Sequence, residues 1–288
     1  MHCTGEKGPP LHRVPAWRLL VAIVATVLAG VLVTAPAAAH AAAPQPHHDA
    51  PPLDPNDPHG AWAGYSLRGQ SGPAQPRGVP AESVAGMDVS GHQGDVDWQA
   101  AYQAGARFAY VKATEGTDFR NSHFAQQYNG SYEVGMIRGA YHFALPDRST
   151  GAEQAKFFAA NGGGWSADGR TLPGVLDIEH NPYGEQCYGL NPQQMTGWIE
   201  DFSHTYHRIT GRYPVIYTTT QWWNTCTGGA DVAERNPLWV ARYNDFVGEL
   251  PGRWQQHTFW QYSDSGRFPG CQDVFNGSYE QLKRFAAA

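Results

Sequence analysis

Gly174-Val175-Leu176-Asp177-Ile178-Glu179 decides more of the fold than any other stretch of this chain. Its apolar residues read as a buried strand, and its two acids stand at the end of that strand. Side chains on a strand alternate faces, so Asp177 and Glu179 point the same way, roughly 6–7 Å apart at about 3.3 Å per residue. Two acids so close cannot both ionise easily, and one pKa is expected to rise toward neutrality. Such a pair suits glycoside hydrolysis, where one carboxyl protonates the leaving oxygen and another group supports the developing positive charge. On this motif alone, a strand end whose acids cap a helix or pair with an arginine is an equal reading.

Working outward, similar short runs precede it at 85–89, 108–112 and 136–143. Others follow at 215–217, 238–241 and 259–262, with a last short piece near Asp273. Helical patterns lie between the early runs, at 98–104, 123–134, 152–160 and 193–209. The last of these opens with Asn191-Pro192, a cap followed by proline at the first helical position, and stops at Gly211. Alternating strands and helices, with the strands buried on both faces, mark a parallel sheet closed as a barrel. The last three strands leave little room for helices. The expected fold is therefore an α/β, modified TIM-like barrel whose final section is irregular and helix-poor. The working face of such a barrel lies at the C-terminal strand ends. Asp88, Lys112, His142, Asp177, Glu179, Tyr217, Gln261 and Asp273 are expected there, an acid cluster hard to explain as scaffold.

The N-terminus reads separately. Lys7, Arg13 and Arg18 precede an apolar run over 19–33, and Ala37-Ala38-Ala39, Ala39-His40-Ala41 and Ala41-Ala42-Ala43 offer A-x-A cleavage sites. The run is short for a spanning helix, so 1–43 is expected to be a signal peptide and the protein secreted and extracellular. Residues 44–80 are rich in Pro, Gly, Ala and His and read as a linker or loose arm, with Trp62 and Tyr65 able to dock it. Residues 81–288 form one catalytic domain. The chain carries a formal charge of −6, which argues against nucleic acid or an anionic membrane as partner. Ten Trp and fourteen Tyr suit sugar stacking, although most such rings serve packing.

Three cysteines follow the signal. In an oxidising compartment, Cys187 and Cys226 are the first choice for a disulfide, since each lies in a loop after one of two adjacent strands. Cys271 would then be a buried free thiol, and a pair using Cys271 stays open. The thirteen histidines show no metal-ligand spacing, and neither a metal nor a cofactor is expected. Lys112, His142 and Glu115 could be taken as another catalytic set, but Lys112 with Glu115 reads better as a structural pair.

Five motifs then occur in order. They are Met87-Asp88-Val89-Ser90-Gly91-His92-Gln93-Gly94, Tyr110-Val111-Lys112-Ala113-Thr114-Glu115-Gly116, Gly139-Ala140-Tyr141-His142-Phe143, Leu176-Asp177-Ile178-Glu179 and Phe259-Trp260-Gln261-Tyr262. Together they resemble the family 25 glycoside hydrolases, the Chalaropsis-type lysozymes, over about 85–276. The resemblance implies a barrel of five βα units followed by three strands. It implies cleavage of the β-1,4 bond between N-acetylmuramic acid and N-acetylglucosamine in bacterial peptidoglycan; separately, the chain is expected to be a monomer. The resemblance makes Glu179 the general acid, its pKa raised by burial and by the negative charge of Asp177. Asp177 would assist the 2-acetamido group, with Asp88 and Asp273 as further acids of the cleft. The sequence around Asp273 fits the family's ending only loosely. Tyr141, Tyr217, Trp239 and Gln261 are candidates for sugar binding. A chitin-cleaving barrel and a glycan-binding barrel without chemistry are the competing classes, and retention of both acids disfavours the second.

Overall fold

The computed structural model describes residues 59–288, so the expected signal peptide and the first part of the arm lie outside the described residues. Strand β1 (Val84–Val89) leads to α1 (Trp98–Gln103), and β2 (Phe108–Glu115) leads through the short β3 (Phe119–Arg120) to α2 (Phe124–Glu133). Next come β4 (Ile137–Phe143) with α3 (Gly151–Phe158), and β5 (Val175–Asp177) with α4 (Pro192–Thr210). The fifth unit is β6 (Val215–Thr218) with α5 (Thr220–Thr227). Then β7 (Leu238–Ala241), β8 (Phe259–Ser263) and β9 (Cys271–Phe275) follow with no helix between them, and α6 (Tyr279–Ala287) comes last. This is the expected modified barrel of five βα units and three strands.

The sheet runs β1-β9-β8-β7-β6-β5-β4-β2-β3, and an additional β1–β2 pairing closes it into a ring. One feature departs from the all-parallel sheet read from strand–helix alternation: β9 is antiparallel to both of its neighbours, β1 and β8. Parallel neighbours need a long crossover, whereas a short connection returns the chain antiparallel, and β8 and β9 are separated only by a short turn.

Alternation along the strands sorts two layers. Phe108 and Tyr110 of β2, Val175 of β5, Tyr217 of β6, Trp239 of β7 and Phe259 of β8 point inward and fill the barrel. Leu176, Ile178, Ile216, Val240 and Trp260 point outward against helix residues such as Phe158, Ile199 and Phe202. Gly86 of β1 keeps the inner layer close-packed, because a Cβ there would stand 2.3 Å from the Phe108 ring.

Helix α4 has the anticipated ends: Asn191 accepts from the Gln194 amide, Pro192 opens the first turn, and Gly211 stops the helix at φ 78°. A disulfide joins Cys187, in the loop after β5, to Cys226, with Cα atoms 5.4 Å apart. Cys226 lies on α5 rather than in the loop expected there, because Thr219 caps a short helix at that point. Cys271 is a buried free thiol.

Candidate active site

The inward residues of the barrel turn polar at one mouth. Past the end of β5 the pairing continues one step, with the Ala144 amide donating to the Asp177 carbonyl at 2.9 Å and the Ile178 amide to the Tyr217 carbonyl at 3.0 Å. The backbone therefore stays extended. With Ile178 facing the helices, Asp177 and Glu179 both face the mouth, and both are wholly buried.

Burial, and then the charge of Glu179, hold the Asp177 pKa well above the usual carboxylate range. Burial also lifts Glu179 to about 7, against hydrogen bonds from Ser66, Gly64 and Tyr65. Neither Asp177 oxygen has a hydrogen-bond partner among the described residues, and burial side by side keeps Asp177 and Glu179 from ionising together.

Asp88 and Asp273 meet from neighbouring strands. Burial raises Asp88 to about 7, opposed by hydrogen bonds from Gln261 and Asp273. Burial, then the charge of Asp88, drives Asp273 well above its ordinary value. Two buried carboxyls this close do not ionise together, so the pair carries at most one negative charge at a time. Asp273 was expected at a C-terminal strand end. It sits instead mid-strand, opposite Gly86 and Gln261, because β9 runs antiparallel. From there Asp273 Oδ1 accepts from the Trp239 indole at 3.0 Å.

Gln261 ties the acids to the aromatics. Its amide donates to Asp88 Oδ2 at 2.7 Å, and its carbonyl accepts from the Tyr217 hydroxyl at 2.7 Å and from Tyr243 at 3.2 Å. Trp239 is more packing than surface: it stacks on Tyr110 at 4.9 Å and meets the edge of Tyr217 at 4.8 Å. Tyr243 is a site residue that the sequence reading missed. The signal was available, since it continues the inward alternation of Trp239 and Ala241.

Lys112 and Glu115 pair at the mouth, and the Tyr183 hydroxyl donates to Glu115 at 2.6 Å. Burial works to raise Glu115, but Lys112, His59 and Tyr183 outweigh it and hold its pKa down. His142 is not part of the mouth. It faces the helix layer between Thr114 (2.8 Å) and Gln154 (2.9 Å), and burial lowers its pKa to about 4, so it is neutral and structural.

The described part of the arm enters this mouth. The amides of Gly64 and Ser66 donate to the two oxygens of Glu179, at 2.9 and 2.7 Å. The Ala63 amide donates to the Tyr141 hydroxyl at 3.3 Å, and the Ala63 carbonyl accepts from Gln261 at 3.1 Å. The Ala61 carbonyl accepts from Lys112 at 2.6 Å. Tyr141 is thus wholly buried beneath the arm.

Known proteins resemble this chain over the whole barrel. The family model "Glycosyl hydrolases family 25" matches residues 87–271. Lysozyme M1 of Streptomyces globisporus is 46% identical over 287 residues, covering 95% of each chain. An N,O-diacetylmuramidase of Arthroderma benhamiae is 50% identical over 215 residues, covering 74% of this chain and 91% of its own. The solved muramidase from Acremonium alcalophilum superposes with a TM-score of 0.70 at 55% identity, covering 71% of this chain and 99% of its own.

Proposed function

Because this chain belongs to family 25 of the glycosyl hydrolases, we propose that it is a secreted lysozyme cleaving the β-1,4 bond between N-acetylmuramic acid and N-acetylglucosamine in peptidoglycan. The observation that carries the reading is the pair Asp177 and Glu179: two wholly buried carboxyls on one inward strand face, both held toward the protonated form. Mutual repulsion allows the pair one negative charge at a time. With the proton on Glu179, that charge rests on Asp177, whose unpartnered oxygens suit the N–H of a 2-acetamido group.

Glu179 gives its proton to the glycosidic oxygen as the bond from that oxygen to C1 breaks. The acetamido oxygen forms a bond to C1 from the opposite face, and Asp177 balances the charge that develops on the acetamido nitrogen. Glu179, now a carboxylate, takes a proton from the water that adds to C1 and reopens the ring. Two displacements at C1 retain its configuration. Asp88, Asp273 and Gln261 orient the sugar and the water, and Tyr141 and Tyr217 border the subsites. Secretion is supported by the apolar run and A-x-A sites of the N-terminus.

The test is mass spectrometry of peptidoglycan digested by the barrel alone (residues 79–288), beside the same protein carrying Glu179→Gln. Reducible muramic acid ends are expected only from the first. Equal products from both would move the chemistry to other residues. Proton NMR of a defined oligosaccharide is expected to show the β-anomer first, and immediate α-product would refute retention.

A further inference from the structure

We propose that residues 59–72 are an intramolecular inhibitor seated in the catalytic mouth, and that cutting the exposed chain behind them switches the enzyme on. The proposal rests on the lysozyme reading and adds regulation to the same site.

The arm contacts the machinery rather than the scaffold. Its backbone meets Glu179, Gln261, Tyr141 and Lys112 through residues 61–66, all groups placed at the mouth. Amides on both oxygens of Glu179 occupy the atoms from which a glycosidic oxygen would take its proton, and they favour the ionised form, which cannot donate. Ala61, Ala63 and Gly64 are buried there, so the site is filled by peptide where sugar has to enter.

The local sequence is suited to this penetration. Gly64 has φ +100°, and a Cβ on it would stand 2.5 Å from the Tyr243 hydroxyl and 2.8 Å from Gln261 Oε1. Only glycine reaches that depth. Trp62 turns aside and packs edge-on against Tyr65 and His92, each at 5.2 Å, which holds the plug at its rim.

Behind the plug the chain surfaces. Residues 68–71, 74, 75 and 77 are exposed, and Arg68 and Arg77 are among them. The tether returns to the barrel where Arg77 pairs with Asp245 and the Gly78 amide donates to the Asp245 carbonyl at 2.7 Å. While the tether is intact, the plug competes with substrate at the high effective concentration of a linked group. A cut makes it a free peptide that dilutes away.

The experiment uses the full chain, uncut and after limited trypsin cleavage at Arg68 and Arg77, with a soluble peptidoglycan fragment as substrate. Cleavage is expected to raise kcat/KM by at least roughly tenfold. Gly64→Trp in the uncut chain is expected to move activity toward the cut level. A synthetic peptide of residues 59–72 is expected to inhibit the cut enzyme competitively, while its Gly64→Trp counterpart does not. Equal activity of uncut and cut wild type would overturn the proposal. If neither form cleaves the fragment, the lysozyme reading fails, and hydrogen exchange still decides on the plug. Slow exchange at the Gly64 and Ser66 amides of the uncut chain, lost in Gly64→Trp, supports it; fast exchange in both overturns it.

Discussion

Asp177 and Glu179 stand two positions apart on one extended segment, yet their surroundings differ: amides of the arm donate to the Glu179 carboxyl, and nothing among the described residues donates to the Asp177 carboxyl. Two consequences belong at this scale. In the barrel freed of its arm, Glu179→Gln is expected to lower kcat by about 10²–10⁴-fold with little change in KM, since only the proton transfer is lost. For a general acid whose pKa stands above the ordinary carboxylate value, kcat is expected to be full in mild acid and to fall as pH rises into the alkaline range. A profile still climbing above pH 8 would contradict that role. These two acids were legible in sequence because strand alternation needs only local information. The partners of Asp273 were not, because they depend on which way β9 runs.

At the scale of elements, α4 was readable from its ends, as Asn191, Pro192 and Gly211 each act within one turn. Asn191→Ala is expected to cost about 1 kcal/mol in urea unfolding, with kcat unchanged. Helix α5 went unread, because eight residues are too few to display a period. It matters nonetheless, since the Cys187–Cys226 bridge ties the loop behind the catalytic strand to it. Replacing both cysteines with serine is expected to cost about 2–4 kcal/mol of stability, read from the same unfolding curves. No loss of stability would mean that packing of Trp222 and Trp223 alone holds this corner. The antiparallel return of β9 was likewise invisible to a reading built on strand–helix alternation.

Over the whole molecule, barrel closure followed from composition and order, whereas the position of the arm depends on a surface that exists only once the barrel has formed. The same buried acids tie stability to pH. Glu179 and Asp88 rise from 4.5 and 3.8 to about 7 in the folded chain, so between about pH 4 and pH 7 the folded state binds more protons than the unfolded. Their contribution to stability is present below that window and is lost as pH rises through it. The thermal midpoint is therefore expected to be higher at pH 5.5 than at pH 8, and the difference should shrink in Glu179→Gln. A midpoint that rises across this range would contradict the burial argument. The most direct test of the central claim, that Glu179 protonates the leaving oxygen, varies the leaving group. In the freed barrel, kcat/KM of wild type and Glu179→Gln would be compared on a peptidoglycan oligosaccharide and on a dinitrophenyl β-glycoside of N-acetylmuramic acid, whose leaving group departs without a proton. The account predicts a loss of about 10²–10⁴-fold on the oligosaccharide and almost none on the dinitrophenyl glycoside. An equal loss on both would contradict it and make Glu179 something other than the acid.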